Sequence, residues 1–290
     1  MARCRRNPRV ATGLGRSTAP RGVARRSRTR LRVRHAPRAL RGWRLGPARP
    51  RGFMKPVLSV VIPVYNEARL ISQTLQRVLT APPEDKEVVV VDDGSTDGTR
   101  EVLQRLQTEW PIRVILQPTN RGKGAAVKRG FQEASGDILL IQDADLEYDP
   151  NDYPAVIEPI LQGRADAVLG SRFLRARVRF FTPQGDPFFS HYLGNRLIIF
   201  ITNLLYGFQA TDYEGCYKAF TRQAVRDIPV EADGFEFDNE LVCKLLRRRK
   251  RIAEVPIHYH PREYAEGKKI RWQHGVKILW TILKWRVKRF

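Results

Sequence analysis

VLSVVIPVYNEARLISQTLQRVLTAPPEDKEVVVVDD, residues 57–93, carries the pattern that decides the fold. Its two ends, 57–65 and 86–93, are runs of β-branched apolar residues, which are typical of strands buried on both faces of a sheet. Between them, apolar residues recur with helical spacing at Leu70, Ile71, Leu75, Val78 and Leu79. The segment therefore predicts two parallel strands joined by a crossover helix.

The same alternation continues along the chain. Further strands are predicted at 112–117, 137–145 and 165–173, and helices at about 97–107 and 125–134. Asn66 is expected to cap the first helix, and Thr96 or Asp97 the second. The pattern then weakens, with helices predicted at 192–206, 236–249 and 272–287 and a strand at 252–259. Together these elements predict an α/β fold with a mostly parallel, doubly wound sheet and C-terminal amphipathic helices.

Polar residues concentrate where three of the predicted strands end. Asp92 and Asp93 follow the second strand, NRGKG at 120–124 follows the third, and Asp143 and Asp145 close the fourth. Parallel sheets bind ligands outside the carboxyl ends of their strands, so these clusters are expected to meet in one site.

Asp143 and Asp145 are a candidate metal site. They lie two residues apart in extended backbone, which directs both side chains to the same face. Two neighbouring carboxylates repel each other unless a cation lies between them, and Mg²⁺ or Mn²⁺ prefers such oxygen ligands together with substrate phosphates. Glu147 is a candidate third ligand. The alternative is that these acidic residues only cap a loop.

The clusters after the second and third strands are typical of a nucleotide site. A carboxylate of Asp92 or Asp93 can accept hydrogen bonds from a nucleobase or from ribose hydroxyls. Lys123, between two glycines, can hold a donor phosphate near a helix N-terminus, although the GxxxxGK[ST] phosphate loop is absent. Helix capping and a solvated turn are the respective alternatives.

Five motifs join these clusters into one pattern: VVIPVYNE, VVDDGSTDGT, NRGKGAA, DADLEYDP and GSRF occur in this order between residues 60 and 173. They resemble the family 2 inverting glycosyltransferases, and among them the polyprenyl-phosphate enzymes that include dolichol-phosphate mannose synthase. The resemblance covers about residues 57–270. It implies a GT-A-like nucleotide-sugar-binding fold, a donor of the GDP-mannose or UDP-glucose type, and a polyprenyl or dolichyl phosphate acceptor.

The resemblance also implies roles in binding the nucleotide. Pro63, Tyr65 and Glu67 would line the nucleotide pocket. Asp93, together with Asp92, would contact the base. Lys123 would lie at the edge of the nucleotide.

Further roles implied by the resemblance concern the reacting phosphates. Asp143 and Asp145 would hold the divalent cation on the donor diphosphate, and Glu147 stands where relatives have a Gln that reaches the metal. Arg172 of GSRF would lie beside the phosphates, and Arg196 is a second candidate for that position.

The chemistry depends on the acceptor. A phosphate monoester is already ionised near neutral pH, since its second pKa is about 6, and it needs no general base. A saccharide or glycolipid hydroxyl, the alternative acceptor, requires one, for which Asp212 or Glu214 is the candidate. Direct attack on the anomeric carbon predicts inversion.

The net charge of +22 is unevenly distributed. Residues 1–53 hold 17 of the 52 basic residues and none of the 30 acidic ones, so the remainder is close to neutral. An Arg-rich segment without hydrophobic periodicity is predicted to be a disordered leader, and Met54 is a candidate natural start. The leader raises nucleic-acid binding as a remote alternative function, which the near neutrality of the rest disfavours.

The expected organisation is the leader at 1–53, a glycosyltransferase domain at 54–270 and a basic amphipathic helix at 271–290. Residues 191–208 and 274–290 combine apolar side chains with Arg, Lys and aromatic residues, which favours helices lying on a membrane surface over ordinary packing. No apolar stretch reaches the roughly 18–20 residues of a membrane span, and three scattered cysteines indicate a reducing compartment. We therefore expect a cytoplasmic protein bound peripherally to the cytoplasmic face of a membrane.

Overall fold

Seven strands form one sheet within residues 57–174, 189–261 and 272–290, which this computed structural model describes. The strands are β1 (Leu58–Val64), β2 (Glu87–Asp92), β3 (Arg113–Leu116), β4 (Ile138–Ile141), β5 (Ala167–Ser171), β6 (Lys218–Thr221) and β7 (Ile252–Pro256). Their order across the sheet is β3-β2-β1-β4-β6-β5-β7, and every neighbouring pair is parallel except those that involve β6. The prediction of a mostly parallel α/β sheet is confirmed.

The helices of the described residues include the predicted ones and two more, at 153–161 and 222–226, that the sequence pattern did not reveal. They are α1 (Ile71–Thr80), α2 (Thr99–Glu109), α3 (Lys123–Glu133), α4 (Tyr153–Leu161), α5 (Phe189–Tyr206), α6 (Arg222–Arg226), α7 (Phe237–Arg247) and α8 (Trp272–Val287), with a 3-10 turn at Pro150–Asp152. None of them combines the length and the apolar character that crossing a bilayer requires. The leader predicted at 1–53 lies outside the described residues.

β1 and β2 form the centre of the core because their side chains alternate between two covered faces. Val60 and Val90 pack into one apolar cluster, and Val61 and Val91 into another on the opposite face of the sheet. Burying each such side chain contributes about 1.5–3 kcal/mol. A charged substitution at Val61 would leave a charge between the sheet and its covering helices and break this core.

β6 runs against its neighbours β4 and β5. The segment that precedes β6 therefore lies at the edge of the sheet where the parallel strands β4 and β5 end. The contact between Cys216 Sγ and the Ile141 carbonyl oxygen, at 3.6 Å, marks this meeting. Residues 212–217 thus lie at the edge of the sheet where ligands are predicted to bind, although they precede a strand and do not follow one.

The predicted capping residues of the first two helices are not their N-cap residues. Asn66 does not cap α1, which begins at Ile71 after Leu70. Asn66 has a φ of 52° and its Oδ1 accepts a hydrogen bond from Thr96 N (2.8 Å), because the chain turns sharply after β1 and the side chain ties two loops together. The N-cap residue of α2 is Gly98 and not Thr96 or Asp97, although Asp97 Oδ1 accepts a hydrogen bond from Thr99 N, the first residue of the helix (3.1 Å).

The later helices pack as a group around α7. Tyr206 of α5 donates a hydrogen bond to the Ile282 carbonyl oxygen of α8 (2.7 Å). Lys244 of α7 lies 3.4 Å from the ring centroid of Trp285 of α8, a close cation–aromatic contact. The predicted helices at 192–206, 236–249 and 272–287 are therefore present, and α7 connects this group to the sheet edge through its N-terminal end.

Candidate active site

The acidic pair follows β4 in a tightly fixed loop. Gln142, the residue after the strand, accepts hydrogen bonds at Oε1 from the hydroxyls of Tyr153 (2.6 Å) and Tyr217 (2.7 Å). Asp145 Oδ1 accepts from Glu147 N (3.2 Å). Buried aromatic side chains thus hold the end of β4 in place, and the two acidic residues extend from a rigid support.

Lys123 and Asp143 form an ion pair in this loop. Lys123 is the first residue of α3, and its Nζ lies 2.7 Å from Asp143 Oδ1. Burial alone would lower the pKa of Lys123, but the Asp143 carboxylate raises that pKa well above its usual value. Burial raises the pKa of Asp143, and Lys123 more than offsets this, so the carboxyl pKa is lowered. Both groups are therefore charged at neutral pH.

Arg172 follows β5 and is clamped by Asp212. Its Nε lies 2.7 Å from Asp212 Oδ2 and its Nη2 lies 2.9 Å from Oδ1, a two-pronged pair. The Asp212 carboxylate also accepts from the backbone N–H groups of Arg172, Glu214 and Gly215. Burial raises the pKa of Asp212, and Arg172 more than offsets it, so that pKa lies below its usual value.

Tyr259 connects the loop after β4 with Arg172. Its hydroxyl donates to Glu147 Oε2 (3.1 Å), and the Arg172 guanidinium carbon lies 5.2 Å from its ring centroid. Tyr148 packs against the same ring in a tilted arrangement, with 5.2 Å between the centroids. The predicted residues Glu147 and Arg172 therefore share one aromatic neighbour, which the sequence pattern did not reveal.

Asp92 and Asp93 lie at the end of β2, where the sequence places them, and both organise loops. Asp92 Oδ2 accepts from Gly94 N and Ser95 N and pairs with Arg100 Nε (2.8 Å). Asp93 Oδ1 accepts from Gln117 Nε2 and Arg121 N, and its Oδ2 from Gly122 N. Burial raises the pKa of Asp93. Contact of either carboxylate with a nucleobase stays a prediction.

The remaining predicted nucleotide residues lie around β1 and α5. Pro63 is inside β1 and Tyr65 follows it, both partly exposed. Glu67 N donates to Thr99 Oγ1 (2.9 Å), which joins the loops after β1 and β2. Arg196 is exposed on α5, and its role near the phosphates stays a prediction.

A buried charged group borders the acidic loop and was missed from the sequence. Lys218 is 1% exposed, donates to the Gly215 carbonyl oxygen (2.5 Å) and lies 3.6 Å from Asp238 Oδ1. Within the described residues, Asp238 Oδ1 and Glu214 Oε1 are buried without a hydrogen-bond partner. Glu214 was a candidate base, and burial raises its pKa. For Asp238, the only signal in the sequence was its place among the acidic residues at the start of the predicted helix at 236–249.

The acidic loop offers two carboxylates to a divalent cation, whose other ligands would have to come from substrate or water. Within the described part of the chain, no group of three or more His, Cys, Asp or Glu side chains is arranged to hold a metal ion. Glu147 as a third protein ligand therefore stays a prediction. Mg²⁺ is commonly bound by one or two carboxylates together with substrate phosphates and water. Asp143 already attracts an ammonium group, so its chemistry suits a cation.

Curated relatives support an enzyme class. A dolichol-phosphate mannosyltransferase of Pyrococcus furiosus is 30% identical over 79% of this chain and 64% of the relative. An undecaprenyl-phosphate mannosyltransferase of Micrococcus luteus is 32% identical over 72% of this chain and 85% of the relative. A low-salt glycan biosynthesis hexosyltransferase of Haloferax volcanii is 32% identical over 72% of this chain, which spans about half (49%) of that relative.

Solved structures and a family profile complete the comparison. Glucosyl-3-phosphoglycerate synthase from Mycobacterium tuberculosis, in complex with Mn²⁺, UDP and phosphoglyceric acid, superposes with a TM-score of 0.59 over 81% of this chain and 80% of that chain. At 21% identity this likeness shows the fold, and it confirms the predicted GT-A-like architecture. The profile of glycosyl transferase family 2 matches residues 59–229, more than half of the sequence. The chain therefore belongs to glycosyl transferase family 2.

Proposed function

We propose that this protein transfers a hexose from a nucleotide-sugar donor to a polyprenyl phosphate, with inversion and with the help of a divalent cation. The observation that carries the proposal is the meeting of the acidic loop with Arg172. Asp143 and Asp145 follow β4, Arg172 follows β5, and Tyr259 lies between the two loops. Carboxylates for a cation and a guanidinium for phosphate oxygens are the groups that a departing diphosphate requires.

The proposed reaction forms a bond between an acceptor phosphate oxygen and the anomeric carbon. The bond from that carbon to the donor's β-phosphate oxygen breaks, and the nucleoside diphosphate leaves with the electron pair. Arg172 stabilises the negative charge that builds on it, a contact whose removal typically costs about 3–4 kcal/mol. Asp143 and Asp145 would hold a divalent cation, which would supply Lewis-acid stabilisation of the same diphosphate.

The contacts of Asp212 argue against its use as the base that a hydroxyl acceptor would need. A hydroxyl acceptor needs a base, and Asp212 was a candidate for it. Its two oxygens already accept from two side-chain and three backbone N–H groups. Because Arg172 holds its pKa below the usual range despite burial, Asp212 is a weak proton acceptor. The geometry suits Asp212 to positioning Arg172.

Two helices, α5 and α8, supply an exposed apolar surface for contact with the membrane that holds the lipid acceptor. Eight of the eleven exposed large apolar side chains in the described residues lie on α5 and α8. They recur at helical spacing and form the apolar face, which consists of Leu193, Leu197, Phe200 and Leu204 of α5 and Val276, Trp280, Leu283 and Val287 of α8. Exposed apolar residues at this density mark an interaction surface.

We assign the apolar face to a bilayer with anionic headgroups. Exposed Lys277 and Arg289 accompany the face on or just beyond α8, and Trp280 is 66% exposed. Apolar side chains flanked by cations, with a Trp among them, suit the boundary between headgroups and acyl chains. Replacing both Phe200 and Trp280 with Ser should reduce cosedimentation with anionic liposomes more than tenfold. Leu161→Ser, at a half-exposed apolar site on α4, is the matched control, and unchanged binding of the double variant would contradict the assignment.

The transfer itself is tested with labelled donors. Incubation with GDP-mannose or UDP-glucose and a polyprenyl phosphate should place label in the organic phase, and chelation with EDTA should prevent it. The anomeric configuration of the isolated product, measured by NMR, should be opposite to that of the donor. Label that appears only in a water-soluble saccharide would favour the hydroxyl-acceptor alternative.

A further inference from the structure

The backbone at Lys123 is packed closely against the segment before α7 through the two glycines that flank it. A Cβ at Gly122 would lie 2.4 Å from the Asp233 carbonyl oxygen, and one at Gly124 would lie 2.6 Å from Phe237 Cβ. Ala125 N also donates to the Asp233 carbonyl oxygen (3.1 Å). The start of α3 is therefore packed directly on the segment before α7, and any movement of the Lys123 ammonium must come from its side chain.

The side chain of Lys123 extends to Asp143 and forms an ion pair with its carboxylate. The ammonium lies 2.7 Å from Asp143 Oδ1, and the two side chains are only 17% and 23% exposed. A divalent cation on the same carboxylate would be repelled by the ammonium at short range, and a shielded setting strengthens that repulsion. Lys123 and a metal ion therefore compete for Asp143.

A donor diphosphate removes this conflict. Its phosphate oxygens carry negative charge and offer the ammonium a new partner, so the metal ion can take Asp143. Asp238, whose buried Oδ1 accepts no hydrogen bond within the described residues, also contributes to raising the pKa of Lys123. The Asp238 carboxylate thus adds to the negative electrostatic surroundings of the ammonium, whose direct contact is with Asp143.

We propose that Lys123 is an internal counterion that keeps the metal site weak for a free cation and makes metal binding depend on the donor diphosphate. The inference rests on the proposed function, because it assumes that Asp143 binds the catalytic cation. The resemblance places Lys123 at the edge of the nucleotide. The inference adds that Lys123 couples the binding of the metal ion to the binding of the nucleotide. The enzyme then binds the cation and the donor together.

The test is Mn²⁺ binding, measured by the loss of the free-ion EPR signal, with and without UDP or GDP. Without nucleotide, Lys123→Met should bind Mn²⁺ about tenfold more tightly than the wild type. With nucleotide, the wild type should gain affinity for Mn²⁺ by a larger factor than Lys123→Met does. Lys123→Arg should behave as the wild type because it keeps the positive charge.

Lys128→Met is the matched control. It removes the same charge from the same helix, but Lys128 pairs with Asp233 (2.6 Å), away from Asp143. It should leave Mn²⁺ affinity unchanged. Lys123→Gln is measured in parallel, and circular dichroism melting verifies that each variant is folded. If both neutral variants at Lys123 bind Mn²⁺ no more tightly than the wild type without nucleotide, the inference is overturned.

The outcomes separate this inference from the proposed function. A wild type that transfers sugar and binds Mn²⁺, with no tightening in the Lys123 variants, removes the counterion role and leaves the transferase intact. A wild type that binds no Mn²⁺ even with nucleotide removes the metal from the proposed function and this inference with it. Tighter Mn²⁺ binding by Lys123→Met without nucleotide supports the inference whichever acceptor is used.

Discussion

The carboxylates that follow β2 and those that follow β4 occupy equivalent positions on the sheet but are held differently. Asp93 accepts from the backbone N–H groups of Arg121 and Gly122, which are fixed by the fold. Asp143 is paired with the side chain of Lys123, a long and rotatable partner. A carboxylate bound to backbone donors shapes a loop, whereas one bound to a side-chain cation can exchange that partner for another cation. Position on the sheet therefore does not by itself distinguish support from chemistry.

The strongest test of this difference is Asp145→Ala in the acidic loop. Loss of one carboxylate from the proposed cation site should lower kcat/KM by about 10²–10³-fold, or about 3–4 kcal/mol. The melting temperature should stay close to that of the wild type, because no backbone bond of the sheet depends on this side chain. Initial rates with Mn²⁺ and thermal melts check both expectations. Asp85→Ala, in an exposed turn, is the control. Undiminished turnover would contradict the metal assignment.

Asp93→Ala should show the opposite pattern. The substitution removes the acceptor of three hydrogen bonds, from Gln117, Arg121 and Gly122, and should reduce the free energy of unfolding by roughly 3 kcal/mol. Urea denaturation measures this loss. A variant that is as stable as the wild type but inactive would indicate that Asp93 acts in substrate binding or catalysis and does not mainly stabilise the loops. That result would contradict the comparison.

Arg172→Lys sharpens the comparison at the residue that follows β5. Its partner, the Asp212 carboxylate, accepts hydrogen bonds both from backbone N–H groups and from a side chain. A lysine keeps the charge but cannot reproduce the two-pronged contact with Asp212. We expect kcat to fall by about 10–100-fold, equivalent to about 1.4–2.8 kcal/mol. Steady-state kinetics at saturating donor check this. A fall in donor affinity with kcat unchanged would limit Arg172 to binding.

Glu231→Gln tests a cation-held carboxylate far from the chemistry, and its effect should be the smallest. Hydrogen bonds from Lys284 and Lys288 of α8 and its flank lower the pKa of Glu231 to about 2. A lowered folded-state pKa contributes stability above the unfolded value of about 4.3, and that stability is lost as the pH falls from there towards 2. The pair is exposed, so the gain should be below about 1 kcal/mol. Melts of both proteins should differ slightly at pH 6 and coincide near pH 2; a constant difference would contradict this account.

The sequence revealed most of the first half of the fold because its signals there are local. Each of β1 and β2 is a continuous apolar run, and Asp143 with Asp145 stands directly after another. Burial on both faces leaves such runs few alternatives to a central parallel strand. Strand, helix and candidate cation site could all be read from neighbouring residues.

The rest of the site depends on contacts between distant residues. Tyr259 reaches Glu147 across 112 positions, and Arg172 reaches Asp212 across 40. β6 is four residues long and begins with a buried Lys, so neither its length nor its hydrophobicity identifies it as a central strand. Asn66 illustrates the same limit, since its role as a link between loops depends on the position of Thr96.

The reversed direction of β6 has a consequence for engineering and divergence. Its two flanking segments face opposite rims of the sheet, and only the one with Asp212 and Cys216 borders the candidate site. Substitutions within residues 213–216 that keep Asp212 and Tyr217 should therefore alter which acceptors are used while the pairing of β6 persists. Substitutions just beyond Arg222 should leave the choice of acceptor unchanged. A single inverted strand thus gives the enzyme one adjustable rim and one inert rim.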